Sequence, residues 1–350
     1  MKIAQVSPLY ESVPPKTYGG TERVVHYLTE ELVRLGHQVT LFASGDSRTR
    51  AELRPIVPEA LRLSRVRRDP TVWHTLLLAA VAREAHNYDV IHFHTDFLHF
   101  PLCRLVGTPQ LTTLHGRLDL PDLQAVYAEF HDQPVVSISD AQRAPLPQAQ
   151  WLATVYNGVP AECYDFRAEG GDYLVFLGRI SPEKGAEAAI EIALRAGLPL
   201  KIAAKIDVVD EAYFKARIQP HLGHPLIEYV GEVDERGKNE LLGGARALLL
   251  PLAWPEPFGL VMIEAMACGT PVIAYRRGAV PEVVADGISG YIVDGPEEAV
   301  AAVERLDRLD RHTCRRYFER RFSARQMAER YLRAYAGLLE RYPALSLKAG

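Results

Sequence analysis

Two acidic residues, Glu256 and Glu264, stand eight positions apart on either side of Phe258-Gly259-Leu260. Pro255 and Pro257 bracket the first acid and hold the chain around it extended. An apolar run from Leu260 reads as a short buried helix that stops at Gly269, with Thr270-Pro271-Val272-Ile273-Ala274 as the next strand. Glu256 then falls in the loop before a helix N-terminus, and Glu264 more than a turn inside the helix. The first N–H groups of a helix have no internal partner and carry partial positive charge. A phosphate, or a run of sugar hydroxyls, suits the space that those groups share with a nearby carboxylate. A purely structural loop would show the same two acids.

Cations and histidines stand at comparable places elsewhere. Arg179 follows the apolar run Tyr173–Gly178, and Lys184 comes five residues later. Two fixed cations past a strand end would stabilise a departing diphosphate as its charge builds; on spacing alone they are equally a surface pair. His92 and His94 alternate on one strand and Asp96 and His99 follow, a set that lines a polar cleft wall or, less in keeping with its strand-end position, ligates a metal. His115-Gly116 ends the strand Gln110–Leu114, where ligands of parallel sheets gather; a turn histidine bonded to backbone is the plain alternative. Gly19-Gly20 precede a helix and let the backbone approach a phosphate, or form a simple turn. Their spacing is not Gly-x-Gly-x-x-Gly, so the usual dinucleotide fingerprint is absent.

These residues need strand ends and helix starts to carry them. Lys2–Ser7 reads as an opening strand, followed by a loop to Gly20, a helix with Val24, Val25, Leu28, Leu32 and Leu35 at helical spacing, and a strand at His37–Ala43. Asp46–Arg68 reads as irregular. Further strands are expected at Tyr88–His94, Gln110–Leu114 and Val135–Ser139, with Asp140 capping a helix, and Ala153–Pro160 reads as a final short strand and a turn. In the second half, strands are expected at Tyr173–Gly178, Leu200–Ala204, Ile227–Gly231 and Ala247–Pro251. Helices fall between them, including Ala186–Ala196, Asp210–Gln219 and one capped by Asp234. Ala161–Asp172 reads as a linker. The end of the chain reads as helices, the last with a stripe of Met327, Tyr331, Leu332, Tyr335 and Leu338, and with Arg315-Arg316 and Arg320-Arg321 as solvated faces. The tail Ala344–Gly350 is expected to fray. Alternating strands and helices in each half predict an α/β fold of two doubly wound parallel sheets facing a cleft.

Composition narrows the class. The chain has 350 residues, 48% hydrophobic and 24% charged, with a formal net charge of −4, a length suited to two domains. The acidic balance argues against a nucleic-acid partner. Four scattered cysteines show no metal pairing and suit reduced thiols in a cytoplasmic protein. The N-terminus reads as a strand rather than a signal peptide, and no apolar run approaches the roughly 18 residues of a membrane span. Arg62, Arg65, Arg67 and Arg68, interleaved with Leu61, Leu63 and Val66, form either a solvated face or a patch for peripheral contact with the inner membrane face or an acidic acceptor.

Five segments in order, Tyr18-Gly19-Gly20-Thr21-Glu22, Leu114-His115-Gly116, Asn157-Gly158-Val159, Gly178-Arg179 with Lys184-Gly185, and Glu256 through Glu264 into Ala267-x-Gly269-Thr270-Pro271-Val272, resemble the retaining nucleotide-sugar glycosyltransferases of family 4. The resemblance spans nearly the whole chain and implies the GT-B fold: a Rossmann-like acceptor domain at 1–165, a Rossmann-like nucleotide-sugar domain at 166–325, and a helix and tail at 326–350 that return to the first domain. It implies that Tyr18, Gly19, Gly20 and Thr21 approach the donor diphosphate and that Arg179 and Lys184 hold it. Glu256 would bind the sugar hydroxyls, the amides of Phe258, Gly259 and Leu260 the sugar and phosphate, and Glu264 the ribose. His115 would lie beside sugar and acceptor, Glu232 and Val233 at the base, and His94 and Asp96 among the acceptor contacts, with Tyr10, Lys16 and the arginines near Arg65 as further hints. No Asp-x-Asp metal motif occurs, and no cofactor is expected beside the donor. The expectation is transfer of a hexosyl group, with retention and without metal, from a UDP-glucose-like donor first and GDP-mannose second, to a hydroxyl of a sugar, lipid-linked sugar or small molecule. A sugar-nucleotide epimerase of the same fold and a non-catalytic sugar-nucleotide-binding module are the alternatives. One departure is Ala203-Ala204-Lys205-Ile206-Asp207, which lacks the family's Gly-x-Gly at that place.

Overall fold

Short runs of β-branched and aliphatic residues become central strands buried on both faces, as parallel sheets require. The computed structural model describes residues 1–16 and 19–341. Its first sheet contains β1 (Lys2–Val6), β2 (Gln38–Ala43), β3 (Glu52–Pro55), β4 (Val90–Phe93), β5 (Gln110–Thr113), β6 (Pro134–Ser137) and β7 (Gln150–Thr154), in the order β3-β2-β1-β4-β5-β6-β7. The second contains β8 (Leu174–Arg179), β9 (Leu200–Lys205), β10 (Ile227–Gly231), β11 (Ala247–Leu250), β12 (Val272–Tyr275) and β13 (Gly290–Val293), in the order β10-β9-β8-β11-β12-β13. Every pairing within both sheets is parallel.

Both orders reverse direction once, between β1 and β4 in the first sheet and between β8 and β11 in the second. At such a switch point the connections leave to opposite sides and open a crevice beyond the carboxyl ends of the two strands. The chain falls into two compact units, Met1–Gly158 with the segment from Ala324 onward, and Val159–Ser323. The stretch Ala161–Asp172 thus belongs to the second unit, where Tyr164 is buried. The helix Ala324–Arg341 belongs to the first unit and buries Met327, Tyr331, Tyr335 and Leu338 there. The core of the second unit gathers Phe176, Ile190, Leu249 and Ile273 between the sheet and its helices. Each such side chain contributes about 1.5–3 kcal/mol on burial.

Several local readings need correction. Asp46–Arg68 is not wholly irregular: Glu52–Pro55 pairs with β2 as an edge strand. Its Glu-Leu-Arg-Pro sequence has poor strand propensity, and pairing overrides it. The expected helix at Asp210–Gln219 is helical throughout but irregular, α over Glu211–Tyr213 and π over Phe214–Ile218. Asp140 caps no helix: Ala141–Arg143 is a single 3-10 turn, and the Asp140 carboxylate accepts from the Thr154 hydroxyl. Arg315 is not on a solvated face. Its guanidinium donates to the Tyr164 and Ala161 carbonyls at 3.0 and 3.1 Å and to the Ala267 carbonyl.

Candidate active site

The second-unit candidates lie at the switch point of their sheet. Arg179 is the last residue of β8, and Glu256 lies in the loop that follows β11. That loop ends at Gly259, whose φ of 79° places it in the left-handed region, ahead of the helix Leu260–Ala267. A side chain there would be strained and its Cβ would lie 2.8 Å from Met262 Cε. Phe258 is buried and stacks edge-on to Phe322 at 6.1 Å. Its side chain therefore anchors the loop from inside.

Glu256 Oε2 accepts from Lys184 Nζ and from Trp254 Nε1, the latter at 3.1 Å. Lys184 also lies 5.1 Å from the centre of the Trp254 ring. The other carboxylate oxygen, Oε1, makes no hydrogen bond among the described residues. Backbone contacts hold this acid in place: the Ala279 amide donates to the Glu256 carbonyl at 2.9 Å. Gly278 packs so closely that an added Cβ would meet the Glu256 carbonyl oxygen at 2.3 Å and its nitrogen at 2.5 Å.

Arg179 is ringed by acids. It pairs with Glu183 and lies 3.7 Å from both Asp207 and Asp210. Asp207 is also bridged by Lys205 at 2.9 Å. Any anion brought to Arg179 must exchange with these carboxylates. Glu264 is buried, and its Oε1 accepts from Lys238 Nζ at 2.6 Å and from the Tyr164 hydroxyl at 3.0 Å. Lys238 itself is buried and also reaches Glu235 at 3.1 Å. Glu232 is exposed and Val233 half-buried, between the end of β10 and the Asp234 cap, whose carboxylate accepts from the Gly237 amide at 2.8 Å.

In the first unit, Gly19 stands ahead of the helix Gly20–Arg34, which contains Thr21, and its carbonyl accepts from the Arg23 amide at 3.1 Å. Tyr18 lies outside the described residues. His115 follows β5 and is half-buried. Its Nε2 lies 2.8 Å from Nδ1 of His94, which is buried with its second nitrogen 2.8 Å from Gln5 Oε1. His94 thus has both ring nitrogens engaged by protein and stands behind His115. His99 stacks on Phe93 at 3.7 Å and bonds Thr112 at 2.7 Å. Burial pushes the imidazoles of His92 and His94 well below their usual range, and those of His115 and His99 to about 4 and about 3. Asp96 is exposed, in the left-handed region at φ 50°, a conformation that aspartate tolerates better than most residues. No group of three or more His, Cys, Asp or Glu that could hold a metal occurs among the described residues, and no helix is long and apolar enough to cross a membrane.

Sequence reasoning missed Trp254, Lys238, Tyr164, Gln5 and Gly278. The Trp-Pro-Glu-Pro-Phe run carried a local signal for Trp254, since an indole two residues from a loop carboxylate can reach it. The other four meet their partners only across the fold.

Residues 18–162 match the family model described as Glycosyltransferase Family 4, and residues 166–325 the one described as Glycosyl transferases group 1. The chain is 27% identical to a protein named glycogen synthase from Mycobacterium tuberculosis (strain CDC 1551 / Oshkosh), covering 99% of this chain and 98% of that protein. It is 26% identical to a phosphatidyl-myo-inositol mannosyltransferase from Mycolicibacterium smegmatis, covering 88% and 86%. Among solved structures, AviGT4, a glycosyltransferase involved in avilamycin A biosynthesis, superposes with a TM-score of 0.73 at 25% identity, covering 97% of this chain and 98% of that one. Sucrose-phosphate synthase from Thermosynechococcus elongatus superposes with a TM-score of 0.80 at 20% identity, covering 97% and 99%, a likeness of fold.

Proposed function

The chain belongs to the family 4 glycosyltransferases, built on the GT-B fold, and from that premise we propose that it transfers a hexosyl group from a nucleoside-diphosphate sugar to a hydroxyl, with retention and without a metal. The observation that carries this reading is the Lys184–Glu256–Trp254 cluster at the switch point of the second sheet, with Arg179 at the end of β8. Glu256 Oε2 is occupied by two donors, which fixes the carboxylate plane and leaves Oε1 to accept from sugar hydroxyls. Arg179 and Lys184 meet the charge that gathers on the diphosphate as the glycosidic bond breaks, and the amides at the start of the helix Leu260–Ala267 add fixed dipoles. One such preorganised donor is worth about 2.7–4 kcal/mol of barrier.

Glu264, held by Lys238 and Tyr164, binds the ribose in this reading. Double displacement needs a carboxylate close to the anomeric carbon, whereas Glu256 is assigned here to the sugar hydroxyls, so it is not assigned as a nucleophile. The acceptor hydroxyl instead attacks the anomeric carbon from the face that the diphosphate leaves: the new carbon–oxygen bond forms as the bond to the diphosphate breaks, and the leaving phosphate oxygen takes the hydroxyl proton. Within the first unit, His115 and the N-terminal end of the helix Gly20–Arg34 are the candidate ligand contacts. UDP-glucose is the first donor to try and GDP-mannose the second, in keeping with relatives named for glycogen synthesis and mannosyl transfer.

The test is a panel of nucleotide sugars incubated with and without hydroxyl acceptors, with release of nucleoside diphosphate and the anomeric configuration of the product read by NMR. Acceptor-dependent release with retained configuration is expected. Conversion of the donor to another sugar nucleotide without released diphosphate overturns the reading.

A further inference from the structure

The half-buried ring of His115 is the end of a buried chain of hydrogen bonds. His115 Nε2 lies 2.8 Å from His94 Nδ1, and His94 Nε2 lies 2.8 Å from Gln5 Oε1. Gln5 Nε2 reaches the Tyr335 hydroxyl at 3.1 Å and His92 Nδ1 at 3.4 Å. The Tyr335 hydroxyl lies 2.8 Å from His92 Nδ1, His92 Nε2 lies 2.7 Å from Thr113 Oγ1, and Thr113 Oγ1 lies 2.8 Å from the Tyr331 hydroxyl. All these partners of His115 are buried, and both tyrosines come from the helix Ala324–Arg341.

Donor and acceptor roles then follow from one atom. A carbonyl oxygen only accepts, so Gln5 Oε1 makes His94 a donor through Nε2. A neutral imidazole with its proton on Nε2 accepts at Nδ1, so His115 donates through its own Nε2 and keeps Nδ1 bare. On the far side the Gln5 amide donates to the Tyr335 hydroxyl, and the bonds among Tyr335, His92, Thr113 and Tyr331 hold that hydroxyl and the amide in place. The two bonds from Gln5 through His94 to His115 therefore share the direction set by the Gln5 amide. Turning that amide over would reverse both and put the proton of His115 on Nδ1.

We propose that Gln5, His94 and Tyr335 are positioning residues that lock His115 in its Nε2–H tautomer, so that its Nδ1 lone pair accepts a hydrogen bond from a hydroxyl of the bound carbohydrate. The proposal rests on the glycosyl-transfer reading for the identity of the ligand; the tautomer itself does not. No hydrogen bond to His115 Nδ1 occurs among the described residues, so that lone pair is open to a ligand. Burial holds His115 and His94 neutral at pH 7, which keeps the lock closed under ordinary conditions. The lock also sets specificity: a hydroxyl at this position is accepted, whereas a fluorine or methoxy group brings lone pair against lone pair and is rejected.

The experiment is ring-nitrogen NMR of the full chain labelled with ¹⁵N-histidine at pH 7, with His115 assigned by comparison with His115→Asn. The expected spectrum has a protonated Nε2 and a bare Nδ1 at His115. Gln5→Leu should give a mixture of tautomers, while Gln5→Glu, which still only accepts from His94, should keep the original one. In transfer assays Gln5→Leu should lower kcat about tenfold with little change in donor KM, and Gln5→Glu should recover most of it. A protonated Nδ1 at His115 in the unaltered protein overturns the proposal, and so does an unchanged tautomer in Gln5→Leu. If Gln5→Leu does not fold, the unaltered spectrum decides alone. A locked His115 in a protein that transfers no sugar upholds the lock and counts against glycosyl transfer.

Discussion

Glu256 and Glu264 share a residue type and differ in what surrounds them. Glu256 has one oxygen fixed by Lys184 and Trp254 and the other without a hydrogen bond among the described residues. Glu256→Ala should therefore abolish transfer while thermal unfolding stays close to that of the unaltered protein, a pairing read by assay and calorimetry on the same preparation. Glu264 is a buried acid compensated by a buried lysine. Lys238→Met removes the lysine and leaves the carboxylate with Tyr164, so urea unfolding should show a loss of about 3–5 kcal/mol. Stability unchanged in Lys238→Met would mean that the pair contributes nothing net. The placement of Glu256, Arg179, Lys184 and His115 at loops and strand ends was legible in the sequence because each stands beside a local signal, a proline bracket, a strand end or a following glycine. Lys238 and Tyr164 were not, because nothing within a few residues of either announces an acid that only the fold brings near.

At the scale of elements, the site depends on how closely two loops pass. Gly278, in the loop after β12, lies against the backbone of Glu256. Gly278→Ala must push that backbone aside, so transfer should fall by at least about a hundredfold, with about 1–3 kcal/mol of lost stability. Gly287→Ala is the control. Gly287 also has positive φ, at 70°, yet open space surrounds its missing Cβ, so this variant should lose stability and keep its activity. The helix Arg311–Phe322 acts in a similar supporting way. Buried Arg311 donates to the carbonyls of Arg167, Ala245 and Gly243 at 2.8 to 2.9 Å, and Arg315 holds the carbonyl of Tyr164, whose hydroxyl holds Glu264. The helix and strand alternation was readable from periodicity. The role of Arg315 was not, because an Arg-Arg pair on a helix carries no local mark of the carbonyls it will meet. The edge strand β3 was missed for a related reason: only its neighbour β2 makes Glu-Leu-Arg-Pro a strand.

At the scale of the molecule, each sheet sets candidates beyond the two strands where its order reverses, Gly19 and His94 after β1 and β4 in the first, and Arg179 at the end of β8 and Glu256 after β11 in the second. The first unit has a further property as a whole. His92, His94 and His99 are buried with imidazoles held below the ordinary value of 6.5. Below that value the unfolded chain binds protons that the folded unit does not, so folding stability falls as pH falls. His99, held at about 3, should alone account for a loss of about 2 kcal/mol between pH 6.5 and 5, and His92 and His94 act in the same direction. Urea unfolding across that range should show a steep loss, and a flat profile would contradict the burial of neutral histidines. The two-sheet architecture was legible from strand and helix alternation and from five ordered motifs, whereas the histidine chain to Tyr335 joins residues hundreds of positions apart and has no signature in the sequence. The central claim is that Arg179 and its neighbours bind a nucleotide sugar. The most direct test is the thermal shift of the unaltered protein and of Arg179→Ala across a panel of nucleotide sugars. A donor at a hundred times its Kd should stabilise the unaltered protein by about 2.7 kcal/mol and leave a folded Arg179→Ala unshifted. Equal shifts in both proteins, or no shift with any nucleotide sugar, would contradict the account.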